Sequence, residues 1–183
     1  MFDEMLIKYA SPTLGGIKTG NLFKFNLYKD SNIYNLIKNY NDFLNVFNIY
    51  LEILYENNNY VLVYIYRLDF LISDFSDEEI SVFLRSYGYN PYNIENCICK
   101  LKERFKKTCK TPHELGVFLG YPIKDVKGFI NNSGKNYKLC GCWKVYDDVE
   151  KCAQIFKEYK NCKYKFTHLF HKGYSLKSLI FTK

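Results

Sequence analysis

The chain has 183 residues, 48% hydrophobic and 19% aromatic, and a formal charge of +7. Its apolar positions run from Phe2 to Phe181, which excludes a disordered chain, and Asn, Lys, Asp or Glu breaks every run short of the roughly 18–20 apolar residues a membrane-spanning helix needs. The charge points weakly to nucleic acid, because only Arg67, Arg85 and Arg104 are arginines and every other cation is a lysine, whereas phosphate and groove recognition favours arginine.

Asp3 and Glu4 stand where a signal peptide carries cations, so the expected location is the cytoplasm, with no membrane partner and with the seven cysteines as reduced thiols. No repeat, linker or long block of like charge divides the chain, so residues 1–183 are read as one domain. Ser11 to Gly20 reads as a loop and Asn21 to Leu27 as a short strand. From Ile33 to Phe47, Leu36, Ile37, Tyr40 and Leu44 recur at helical spacing, with Asp30 or Ser31 as the cap. Ile49–Tyr55 and Tyr60–Tyr66 form a hairpin around Asn57-Asn58-Asn59, whose asparagines suit the left-handed backbone of a tight turn.

Ser76-Asp77-Glu78-Glu79 is a capping box before Ile80, Phe83, Leu84 and Tyr87, with Gly88 as the stop. A helix opening at Pro91 behind Asn90 carries Ile94, Cys97, Ile98, Leu101 and Phe105 on one stripe. Thr111 to Glu114 starts a short helix that buries Leu115, Phe118 and Leu119, and Pro122 starts another through Val126, Phe129 and Ile130. Leu139 to Tyr146 reads as a strand. Asp147 or Asp148 then caps a helix burying Val149, Cys152, Ala153 and Phe156, and Ser175 to Phe181 reads as a last strand. Strands at both ends and in the middle, with helices clustered between, give an α+β fold: a β-hairpin and further short strands packed against helices.

The run Pro112-His113-Glu114-Leu115-Gly116-Val117-Phe118-Leu119-Gly120-Tyr121-Pro122, continued by Asp125-Val126 and Gly128-Phe129-Ile130, resembles the signature of an uncharacterised family of clostridia and related Firmicutes, a domain of unknown function. Pro12-Thr13-Leu14 with Gly16 and Lys18, and Cys140-Gly141 with Trp143-Lys144-Val145-Tyr146, are similar to it as well. Cys142 departs from the pattern, where an aromatic is expected. The resemblance brings no established activity with it and leaves any cofactor unknown.

These segments also supply the candidate site. His113-Glu114 lacks the second histidine of a zinc-protease helix, since position 117 is Val117, and Glu114 is read instead as a capping residue three after Thr111. Gly15-Gly16-Ile17-Lys18 is not a phosphate loop, but its lysine suits an anion. The expected pocket for a small ligand is lined by the Thr13/Lys18 loop, the His113–Tyr121 helix and the Trp143–Tyr146 strand. There His113 donates or accepts a proton, Lys18 or Lys144 holds an anionic group, and Tyr121 shapes the wall.

One alternative is a thiol-based metal or redox protein. Cys140 and Cys142, two apart on a strand, would share a face, with Cys162 joining them; His168 and His171 lie at no recognisable ligand spacing. Cys97 and Cys99, about 200° apart on a helix, cannot pair. Another is a nucleic-acid or protein-binding module using Tyr60, Tyr64 and Tyr66 beside Arg67, although that face reads more simply as core.

Overall fold

The computed structural model describes residues 2–27, 32–108 and 111–181. Its centre is a three-stranded antiparallel sheet of β1 (Gly20–Asn26), β2 (Ile49–Glu56) and β3 (Tyr60–Arg67), in the order β1-β3-β2. Alternation along β3 decides the architecture. Val61, Val63 and Ile65 point to one side and Tyr64 and Tyr66 to the other, and all five are buried. An antiparallel sheet often leaves one face in water, but here helices cover both.

The first face packs against α1 (Phe2–Leu14), α2 (Ile33–Leu44), the second half of α8 (Val149–His171) and α9 (Leu176–Phe181). The second face packs against α3 (Leu68–Ser76), α4 (Glu78–Ser86), α5 (Ile94–Thr108), α6 (Leu115–Phe118) and α7 (Ile123–Asn131). The fold is α+β, as its pattern of elements predicts, and no helix among the described residues is long and apolar enough to cross a membrane.

Several elements differ from the sequence reading. Ser11 to Leu14 is helical, the last turn of α1, and Pro12 inside it gives up one helical hydrogen bond. The chain leaves that helix through Gly16 at φ 65°, with Ile17 N–H bonding Pro12 O and Gly16 N–H bonding Thr13 O, a Schellman closure. The N-cap of α2 is Asn32, whose side chain accepts from Asn35 N–H; the caps expected at Asp30 and Ser31 lie outside the described residues. No residue of Asn57–Asn59 has positive φ: the Asn57 side chain shapes the hairpin turn by accepting from the N–H groups of Asn59 and Tyr60. Asp77, rather than Ser76, caps α4, and as a single extended residue it also ends α3, a helix that the sequence reading did not anticipate.

Asn90 and Pro91 form a turn ahead of α5, and Asn93 accepts from Asn96 N–H at its start. Ala153 is exposed on α8, and Tyr159 takes the inward place farther along that helix. The segment Ser175–Phe181 is helical: Leu176, Leu179 and Ile180 fall on one helical stripe, and Ser175 Oγ accepts from Ser178 N–H.

Candidate functional site

The segment from Leu139 to Tyr146 is not one strand but a small hairpin of β4 (Leu139–Cys140) and β5 (Lys144–Val145), with Gly141-Cys142-Trp143 between them. Gly141 lets the ring of Phe156 pack directly on this turn. A Cβ at that position would lie 2.2 Å from a ring carbon of Phe156 on α8. Cys142 is therefore a turn residue, and the same-face geometry expected of a continuous strand for Cys140 and Cys142 does not form.

Asp125, in the first turn of α7, fastens the hairpin. It is only 2% exposed, and its carboxylate accepts from Trp143 Nε1 at 2.8 Å, Tyr146 N at 2.7 Å and Asp147 N at 3.1 Å, with the Cys152 thiol at 3.5 Å. Burial, followed by the charge of Asp125, pushes the Cys152 thiol up to about 11. Gly128 lets Tyr146 lie on α7, since a Cβ there would meet that ring at 2.5 Å. Trp143 stacks on Tyr121 with ring centres 4.8 Å apart and meets Phe156 edge-on.

Between α6, α7 and the hairpin lies a cavity of about 390 Å³. Leu115, Leu119, Val126, Phe129 and Trp143 supply apolar wall, and His113, Tyr121, Lys144 and Cys140 also line it. His113 is exposed, with its ring centre 5.3 Å from that of Phe129. Lys144 donates to Gly134 O at 2.7 Å, and its ammonium lies 4.8 Å from the centre of the Tyr137 ring.

Two expected members lie elsewhere. Thr13 is fully buried, donates to Asn21 Oδ1 at 2.7 Å and offers its carbonyl to Arg67 Nε, so it joins α1 to the sheet and does not line the cavity. Lys18 does not line it either. Its ammonium lies 5.2 Å from the centre of the Tyr121 ring and 5.8 Å from that of Tyr159, and burial lowers it to about 8.

Glu114 stands at the N-cap position of α6, but its side chain makes no capping hydrogen bond. It is 1% exposed, ion-paired with Arg104, and accepts from Tyr89 Oη at 2.9 Å. A short helix following a proline offers its carboxylate less than a guanidinium and a phenol do. Tyr64 is fully buried and stacks on Tyr66, so that face is core rather than a platform for bases.

Cys140 lines the cavity, Cys142 lies close enough to Lys18 for their charges to interact, and the Cys162 thiol bonds Ser11 O at 3.3 Å between α8 and α1. Burial pushes Cys162 up to about 11. Among the described residues, no three His, Cys, Asp or Glu side chains gather in a way that could hold a metal ion. Sequence reasoning missed Asp125 as the hub of the site. Its signals were a place in the family-like run and an acid in the first turn of a helix, which a favourable helix dipole explains equally well.

The fold and site define a three-layer α+β protein with an apolar cavity beside its second face. The chain matches the model of the family described as Protein of unknown function (DUF3793) over residues 6–180, and it belongs to that family. No curated protein and no solved structure matches it.

Proposed function

We propose that this protein binds a small, largely apolar molecule carrying one anionic group, in the cavity between α6, α7 and the β4–β5 hairpin. The cavity itself carries the reading: its volume of about 390 Å³ falls in the range of ordinary ligand sites, roughly 300–1,000 Å³, and its apolar wall is interrupted by few polar groups. Lys144 spends one of three ammonium donors on Gly134 O, leaving others for a carboxylate or phosphate. His113, exposed at the edge, offers a second polar contact that can donate or accept a proton. A cytoplasmic setting, where the thiols stay reduced, and the Firmicutes range implied by the motif resemblance belong to the same proposal.

Calorimetric titration with octanoate and with 1-octanol tests this reading. Octanoate should bind with one-to-one stoichiometry. Lys144→Met should weaken it by about tenfold, the scale of one charge-assisted hydrogen bond, and leave 1-octanol unaffected. If neither probe binds, the reading fails.

A second reading, polyanion binding, rests on α8. Lys157, Lys160, Lys163 and Lys165 on it, and Lys172 just past its end, are exposed without a carboxylate partner, and Tyr164, 72% exposed, stacks on His168. Binding of a labelled single-stranded oligonucleotide that weakens steeply with salt and drops with Tyr164→Ala would favour it; salt dependence without the Tyr164 effect would reduce it to nonspecific charge attraction.

A further inference from the structure

Four charged side chains among the described residues are buried: Lys18, Arg67, Glu114 and Asp125. Three have partners in keeping with the cost of taking a charge out of water. Arg67 donates to the carbonyls of Thr13 and Phe47, Glu114 pairs with Arg104 and accepts from Tyr89, and Asp125 holds Trp143, Tyr146 and Asp147. Lys18 alone makes no hydrogen bond and no ion pair. It is 5% exposed, and its ammonium faces the rings of Tyr121 and Tyr159.

This placement is built by the fold. Lys18 stands two residues before β1, and Gly120 at φ 72° presses α6 against that entry: a Cβ on Gly120 would lie 2.5 Å from Thr19 Oγ1. Thr19 is held in turn by donating to Asp74 at 2.6 Å, and Arg67 N–H bonds Thr19 O at 2.8 Å. Tyr121 arrives from the end of the α6 segment, Tyr159 from α8 and Cys142 from the hairpin turn, so three elements converge on one amine. Contact with two rings returns less than an ammonium loses on burial.

We infer that Lys18 is an amine nucleophile that condenses with a small reactive carbonyl compound, an aldehyde or 2-oxo acid, entering beside the exposed Cys142. The neutral Nζ attacks the carbonyl carbon, the C=O pair moves to oxygen and takes up a proton, and nitrogen loses one. The carbinolamine then expels water to give the C=N bond of an imine. One water leaves and no oxidant or reductant is needed. Burial lowers Lys18 to about 8, with Cys142 opposing that shift, which leaves about a tenth of the amine neutral near pH 7 against roughly one part in a few thousand for an ordinary lysine. Tyr121, pushed up to about 12 by burial, stays protonated beside it. Tyr159 is raised as well, chiefly by burial, and partial burial raises the Cys142 thiol against the pull of Lys18 and Lys163, so neither tyrosine nor the thiol presents an anion to the ammonium at neutral pH.

Incubating the full chain with glyoxylate and cyanoborohydride near neutral pH, followed by peptide mass spectrometry, tests the assignment. The peptide carrying Lys18 should label about tenfold faster than those carrying the exposed Lys24 and Lys38, and the advantage should shrink as alkaline pH deprotonates every lysine. Lys18→Arg should lose that label alone; should this variant not fold, the site-by-site comparison in the unaltered chain decides by itself. Labelling of Lys18 no faster than that of exposed lysines at neutral pH would overturn the inference. The site shares only Tyr121 with the cavity, so failure of octanoate binding and failure of Lys18 labelling are separate results.

Discussion

Asp125 receives the Trp143 indole N–H and two consecutive backbone N–H groups, those of Tyr146 and Asp147, so its removal strands one buried and two part-buried donors at once. Asp125→Ala should cost about 2–4 kcal/mol, measured as a lower urea midpoint, with Asp125→Asn retaining part of the loss through its one remaining acceptor. Lys18 should behave in the opposite sense. Burial lowers its folded value from 10.5 to about 8, so between those limits the unfolded chain holds more protons and stability of the natural protein rises with pH. Below about 8 the folded state carries the full cost of the ammonium. Lys18→Met should therefore be more stable at neutral pH, by a few kcal/mol, and its advantage should fade as pH climbs from about 8 to 10.5. Thermal melts across that range check the sign, and a Met variant less stable at neutral pH would show that Lys18 is paired. In the sequence, Lys18 stood out as a lysine after paired glycines in a family-like segment; that it is buried without a counter-ion depends on α6, α8 and the hairpin, which no local pattern specifies.

The β4–β5 hairpin and α7 act as a unit because glycines let them touch. Gly128→Ala would place a methyl group 2.5 Å from the Tyr146 ring, so the hairpin should lift from α7 while the sheet and the helices on its two faces persist. The expected result is a red shift of tryptophan emission with little change in far-ultraviolet circular dichroism; unchanged emission would show that the contact relaxes without displacing Trp143. Element identity was legible where periodicity was strong, as in the hairpin of β2 and β3 and the stripe Cys97, Ile98, Leu101 and Phe105 of α5. It failed where punctuation misled. Pro12 and the following glycines look like a loop, yet they are the last turn and closure of α1. The β-like composition of the tail hid the i, i+3, i+4 spacing of Leu176, Leu179 and Ile180. In the Leu139–Tyr146 segment, Leu139, Trp143 and Val145 fit one face of a continuous strand, and Phe156, which packs against Gly141 at the turn, comes from a helix beginning ten residues after Leu139.

At the scale of the molecule, α8 ties the parts together: Tyr159 and Cys152 pack on the hairpin, whereas Phe166 and Cys162 pack with α1. His113, Tyr121, Trp143 and Lys144, nominated for one pocket from segments some thirty residues apart, do line one cavity, whereas Thr13 belongs to the sheet and Lys18 to a separate cluster that meets the cavity only at Tyr121. The apolar character of α6 and α7 was readable, but the space between them was not, because a cavity is set by where packing stops. Trp143 is the single tryptophan of the chain and part of the cavity wall, which makes its emission a direct report on occupancy. The measurement that bears most directly on the proposed binding site is a titration of Trp143 emission with octanoate in the natural chain and in Leu119→Phe, whose larger side chain fills the cavity. A saturable change in the natural chain, weakened by about tenfold or more in the variant, is the predicted result; no change in emission, or equal affinity in both proteins, would contradict a ligand site between α6, α7 and the hairpin.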